Sequence, residues 1–311
     1  MYWGDKIVVA VGGGKGGIGK TTFVANLGVS MAARGRNVVV IDADIGAANL
    51  HTILGIRYPE KTLNDFLSNS QSDLAGALVE TPYPNLRLLS SASDVLSLAS
   101  PNYGERQRLF RAVQKLKADA IIFDIAAGTH QRATDFFSLA PIGIILLEPI
   151  PTSLENAFSF IKNLLVRGLL RRFYHDKEMT AFIQNTVDPR STEKNLHFSD
   201  LLLKLEEKAP GKIGAYRQLF LEGACKMFIV VNSVKDPKQK QVGEKFARII
   251  KRYLALTMEV LGTLPYEHSM DDAVINRVPF VVKYPDSGFA NGLSAIVSKI
   301  ESQNLHEAAL E

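Results

Sequence analysis

Residues 12 to 22, Gly12-Gly13-Gly14-Lys15-Gly16-Gly17-Ile18-Gly19-Lys20-Thr21-Thr22, restrict the fold of this chain more than any other feature. They follow the apolar run Ile7-Val8-Val9-Ala10-Val11 and precede a helical pattern that begins near Phe23. Counted from Gly14, they fit G-x-x-x-x-G-K-[ST], with Gly19, Lys20 and Thr21 in the defining places. The glycines let backbone N–H groups curl around an anion, and the helix starting at Thr21 adds its positive dipole end. Lys20 reaches terminal phosphates and the Thr21 hydroxyl suits Mg2+, so the implied ligand is a nucleoside triphosphate bound by Gly14 through Thr22. Lys15 is a surplus cation at the second position of the loop, and it asks for a separate explanation.

Around that loop, short apolar runs alternate with longer amphipathic ones. Ile7 to Val11, Val38 to Ile41, Leu86 to Leu89, Ala120 to Phe123, Gly143 to Leu147, Phe228 to Val231 and Glu259 to Leu264 read as strands; Thr21 to Arg34 and Arg106 to Lys117 read as helices. The alternation implies βαβ units. We expect an α/β fold, a doubly wound, mostly parallel sheet of seven to eight strands with helices on both faces. A further helix follows Leu147, announced by prolines and by capping-box spacing of Thr152 and Glu155, and runs to about Tyr174. About fifty residues, 174 to 223, then exceed what an ordinary connection needs and read as a helical insertion. Leu201-Leu202-Leu203, Leu205 and Tyr216, Leu219, Phe220 have helical spacing, and Asp188-Pro189-Arg190-Ser191 reads as a turn. Two helices are expected there, on the rim of the sheet and without a core of their own, inside a single domain spanning 1–311.

In such sheets ligands bind beyond the carboxyl ends of the strands. Asp42 and Asp44 stand at the end of one strand and Asp124 at the end of another, so carboxylates face the loop that would hold phosphates. Asp124 is the candidate for holding Mg2+, usually through water; capping the turn into Ile125-Ala126-Ala127-Gly128 is the alternative. The strand is expected to end between Asp42 and Asp44, leaving one to face the metal and the other the γ-phosphate.

The loop Lys15 to Thr22, the segment Asp42-Ala-Asp44-Ile-Gly-Ala-Ala-Asn49-Leu50 and Asp124-Ile-Ala-Ala-Gly128 together resemble the MinD/ParA family of deviant Walker A ATPases over nearly the whole chain apart from the insertion. The resemblance implies that Lys15 reaches the phosphates of a second subunit across a nucleotide-sandwich homodimer, acting where an arginine finger would. It further implies that Asp44 positions the attacking water, that Thr21, Asp42 and Asp124 serve the metal, and that 124 to 128 form a second switch. Asn232 and the segment Leu264-Pro265-Tyr266 match the family's adenine-binding places; without the resemblance Asn232 is a turn residue. ATP or ADP and Mg2+ are the implied cofactors, and slow ATP hydrolysis is the implied activity.

Within the family, a single cysteine, Cys225, cannot supply the paired cysteines of the iron–sulfur branches, so no cluster is expected; it reads as a small buried hydrophobe. The tail after Lys299 lacks the basic amphipathic pattern of a membrane-binding helix. A membrane partnership would therefore be indirect. The stretch Pro265 to Val274 with Arg277-Val-Pro279 resembles MinD-like regulators of flagellar number and placement, although the front of the chain lacks the motif those regulators use for a GTPase partner. A net charge of +4 from 36 basic and 32 acidic residues does not single out nucleic acid. DNA binding through Arg167, Arg171, Arg172 or Arg248, Lys251, Arg252 is possible but not favoured over a solvated face. His130 reads as a helix-start residue with partner coupling as the alternative. With 46% hydrophobic residues, no apolar run approaching a membrane span and no leader pattern, a cytoplasmic location is expected, with recruitment to a membrane or pole by a protein effector. The rival functions are a ParA-like DNA-partition ATPase and a ligase or amidotransferase with a second substrate pocket built by 174 to 223.

Overall fold

The computed structural model describes residues 3–44, 48–68, 73–92, 103–128, 131–138, 140–187, 197–214, 216–217 and 225–308. In chain order its elements are β1 (Ile7–Gly12), α1 (Lys20–Ala33), β2 (Val38–Asp42), α2 (Leu50–Ile53), α3 (Leu63–Ser68), β3 (Val79–Glu80), β4 (Leu86–Leu89), α4 (Tyr103–Lys115), β5 (Ala120–Asp124) and α5 (Gln131–Phe137). There follow β6 (Ile142–Leu147), α6 (Pro151–Arg172), α7 (Lys177–Val187), α8 (Phe198–Lys208), β7 (Lys226–Val234), α9 (Val242–Leu254), β8 (Glu259–Pro265), α10 (Met270–Ile275), α11 (Phe280–Lys283) and α12 (Gly288–Ala308). The strands form one sheet in the order β3-β4-β2-β5-β1-β6-β7-β8. All pairings are parallel except β3 with β4. The order reverses at β1, between β5 and β6, and the glycine-rich loop leaves the sheet there.

Near-continuous apolar runs become strands because helices cover both faces. The period of two splits β1 between two cores: Val8 and Ala10 pack on one face, Ile7, Val9 and Val11 on the other. The first face is covered by α3 to α9 and the second by α1, α2 and α10 to α12. Six of the eight strands coincide with the sequence reading to within a residue at either end. β7 runs longer, through Asn232, and the antiparallel edge strand Val79–Glu80 was not expected.

The start of α6 corrects one expectation. Ile150 is the N-cap without a side-chain cap, and Pro151 opens the helix, so Thr152 and Glu155 lie inside it and form no capping box. The Ser153 hydroxyl instead accepts the Glu148 N–H at 3.0 Å. Of the two helices expected in the insertion, the one over Leu201 to Leu205 is α8, whereas the one over Tyr216 to Phe220 lies largely outside the described residues. α7 was not expected, and α7 and α8 rest on α6 and α9 respectively. Met179, Ile183, Leu201, Leu202, Leu205 and Tyr216 join the same core that covers the sheet. The turn expected at 188 to 191, together with Leu219, Phe220 and His130, lies outside the described residues. Among the described residues no helix is long and apolar enough to cross a membrane.

Candidate nucleotide site

Glycines make the loop for two distinct reasons. Gly17 and Gly19 have φ of 78° and 84°, the left-handed region that side chains disfavour. Gly14 is needed for proximity: a Cβ there would overlap the backbone of Asn156 in α6. Gly16 faces Ala127, whose Cβ would lie 3.9 Å from a Cβ on that glycine, so the loop meets the segment after β5. Ile18 is buried and its carbonyl accepts Asn232 Nδ2 at 2.9 Å. Asn232 reaches it because β7 is irregular against β8 between Val231 and Val234, with Ser233 at φ 55°. The Thr22 carbonyl receives Asn26 Nδ2, and Asn26 Oδ1 accepts the N–H of Val281, tying α1 to α11.

Lys20 is 7% exposed and its Nζ donates to the Lys15 carbonyl at 3.1 Å. Burial pulls its pKa down, against the attraction of Asp124 and Asp44. The Lys15 side chain is half-buried, with no hydrogen bond or ion pair among the described residues.

Two carboxylates, Asp124 and Asp44, act on Lys20, and Asp42 adjoins both of them. Asp42 and Asp124 occupy paired register positions at the ends of β2 and β5, both fully buried. Burial first, and the neighbouring Asp42 second, raise Asp124 to about 8; the Thr21 hydroxyl hydrogen-bonded to it and Lys20 oppose the rise. Asp124 Oδ1 is buried without a hydrogen-bond partner. Asp42 is raised to about 6, by burial above all. Its Oδ1 accepts the Asp44 N–H at 3.0 Å and its Oδ2 the Leu50 N–H at 3.1 Å, so it holds both ends of the segment between β2 and α2. Asp44, past the strand end, is raised by burial and lowered by Lys20. An orphaned buried oxygen, a like-charged neighbour and a hydroxyl fit a divalent cation shared with phosphate oxygens. Among the described residues no group of three or more His, Cys, Asp or Glu could hold a metal ion by itself.

On the far side of Asn232, Tyr266 N–H donates to the Val234 carbonyl at 2.9 Å, placing Pro265 and Tyr266 beside the bulge. Tyr266 is 42% exposed, and Lys235 Nζ lies 4.4 Å from its ring centroid. Sequence reading missed Lys235; its only signal was its place after β7. The structure thus brings every residue proposed for the site to one end of the sheet.

A model of the CobQ/CobB/MinD/ParA nucleotide binding domain matches residues 9–280. The chain belongs to this family. Among its MinD/ParA relatives, the chain is 25% identical over 298 residues to the antiactivator FleN of Pseudomonas aeruginosa, covering 95% of this chain and 86% of FleN. To the septum site-determining protein MinD of Synechocystis sp. it is 34% identical over 189 residues, covering 60% of this chain and 67% of that one. Its fold is that of MinD complexed with Mg-ADP from Pyrococcus horikoshii, with a TM-score of 0.62 at 18% identity, covering 95% and 96% of the two chains.

Other candidates sit apart from this MinD/ParA site. Cys225 is 3% exposed and its thiol donates to the Ala140 carbonyl. Arg167 and Arg171 pair with Asp135 on α5, and Arg172 Nε donates to the Lys212 carbonyl at 2.7 Å. The α6 arginines are thus engaged within the fold, whereas Arg248, Lys251 and Arg252 are exposed.

Proposed function

We propose that the chain is an ATP-dependent dimerising switch that hydrolyses ATP slowly and regulates the position, number or partitioning of a cellular structure. The observation that carries this reading is the contrast between two lysines of one loop. Lys20 is buried among carboxylates, while the Lys15 side chain has no partner among the described residues. A half-buried cation in a phosphate-type loop, without a hydrogen bond or ion pair among the described residues, suits a phosphate outside its own chain.

In this reading the amides of Gly14 to Thr22 and the Lys20 ammonium bind the phosphates. Thr21 and Asp124 hold Mg2+, which supplies neutralisation of phosphate charge when bound, and Asp42 orders the segment beside them. Asp44 orients the attacking water, Asn232, Pro265 and Tyr266 contact the adenine, and Lys15 stabilises charge on the nucleotide of the partner subunit. The names of the relatives, an antiactivator and septum site-determining proteins, favour a regulator acting on a protein effector over a metabolic enzyme. A cytoplasmic protein recruited to a membrane or pole fits that role.

Sedimentation velocity of Asp44→Ala with ATP and Mg2+ tests the reading. A dimer that disappears on replacing ATP with ADP is expected, and a monomer at every concentration overturns it. Lys20→Ala is expected to lose nucleotide binding. Lys15→Ala should keep binding but lose hydrolysis by about a thousandfold, the scale of an arginine finger. Stimulation of hydrolysis by DNA would favour partitioning instead, and stimulation by a metabolite a ligase.

A further inference from the structure

Where the α7–α8 insertion meets α6 and α9, a cavity of about 100 Å³ opens beside Phe158, Lys162, Val187, His197, Leu201 and Tyr253. Its aromatic wall is held by several contacts. His197 and Tyr253 stack at 5.0 Å with 2° between their planes, and Phe158 meets Tyr253 edge-on at 6.5 Å. His197 Nδ1 lies 3.1 Å from the Arg252 carbonyl, fixing the histidine to α9. Pockets for metabolites run to several hundred Å³, on the order of 300–1,000. This cavity therefore has the size of one apolar side chain, which disfavours a substrate site and suits an anchor.

The helix bordering the cavity is cationic: α9 carries Lys245, Arg248, Lys251 and Arg252 against Glu244. On α9, Lys245, Arg248 and Arg252 fall on the outward face opposite buried Phe246, Ala247, Ile250 and Leu254, with Ile249 among them 45% exposed. The Arg252 guanidinium lies 5.5 Å from the Tyr253 ring, so the charged face and the cavity share a border. Lys162 adds a cation at the cavity itself.

We propose that this surface docks an acidic segment of a partner protein, with one bulky apolar side chain inserted in the cavity and carboxylates on Arg248, Arg252 and Lys162. Duplex DNA would match the charge and leave the ring-lined cavity and Ile249 without apolar partners, since its outward groups are phosphates. A bilayer would need a convex apolar surface, whereas here the apolar surface is concave. An apolar anchor ringed by complementary charge is the ordinary form of a protein hot spot. The site supplies the effector surface that the switch reading calls for and in that respect rests on it.

The test is fluorescence anisotropy of the full chain with short fluorescein-labelled peptides of Glu and Asp around a single Leu or Phe, with Ala there as control, measured with and without ATP. The Leu or Phe peptides are expected to bind, and the Ala peptide to bind about tenfold more weakly. Val187→Trp, which fills the cavity, should weaken binding by a similar factor. So should Arg248→Glu with Arg252→Glu, two exposed changes whose unaltered melting curve shows that the fold persists. Equal binding of the Ala peptide, no binding of any peptide, indifference to both variants, or charge-reversal-sensitive binding of duplex DNA or phosphatidylglycerol vesicles in place of the peptides overturns the proposal. Peptide binding identical with and without ATP supports the docking site and counts against the switch, so the two readings fail separately.

Discussion

The Lys20 ammonium donates one of its three N–H groups to the carbonyl of Lys15. Two remain for an arriving phosphate, so the backbone under Lys15 can steady the cation that would hold the anion. Beside them, Asp124 is held near a pKa of about 8 by burial and by Asp42, with its charged form disfavoured. For such a raised carboxyl, stability is fully present below the unfolded value near 3.8 and is lost as pH rises through about 8. Asp124→Asn removes that loss. The nucleotide-free variant is expected to be more stable than the parent by about 1–3 kcal/mol at high pH, the gap closing toward about pH 4, while losing stabilisation by Mg2+ and nucleotide. Denaturant titrations across that range check both signs. Burial likewise pushes the Cys225 thiol up to about 12. At mildly alkaline pH the native protein should resist alkylation and the unfolded protein react at once, which mass spectrometry reads directly.

At the scale of elements, the strands were legible because a run of apolar residues bounded by polar ones has few other uses in a chain of this length. Asp42 and Asp124 were legible as strand-end carboxylates for the same reason. The pair Val79–Glu80 was not, because two residues carry no periodicity; its pairing is dictated by Leu88 and Arg87 on β4. The capping box at Thr152 failed because Pro151 already opens the helix, two residues earlier than the box requires. The double duty of the glycines was also invisible. The motif accounts for Gly14 by the phosphate, whereas the fold adds contact with α6. Gly14→Ala is therefore expected to push the loop off α6 and lower nucleotide affinity by at least about tenfold, with the far-ultraviolet circular dichroism unchanged, since P-loop geometry tolerates little displacement. Calorimetric titration with ATP measures it.

At the scale of the molecule, the insertion is part of one core with the sheet's α6 face, which sequence spacing could not reveal because apolar residues at helical intervals do not say what they touch. Ile183 and Leu205 are completely buried in that core. Ile183→Ala or Leu205→Ala should cost about 2–5 kcal/mol and lower the melting temperature of the whole chain in a single transition. Two separated transitions would mean that α7 and α8 fold as an independent unit. The loop at Gly14 leans on Asn156, and two residues further along α6 Phe158 walls the cavity beside α9. The phosphate seat and that cavity thus share a wall in α6, two residues apart, so a substitution in that short stretch would be felt at both.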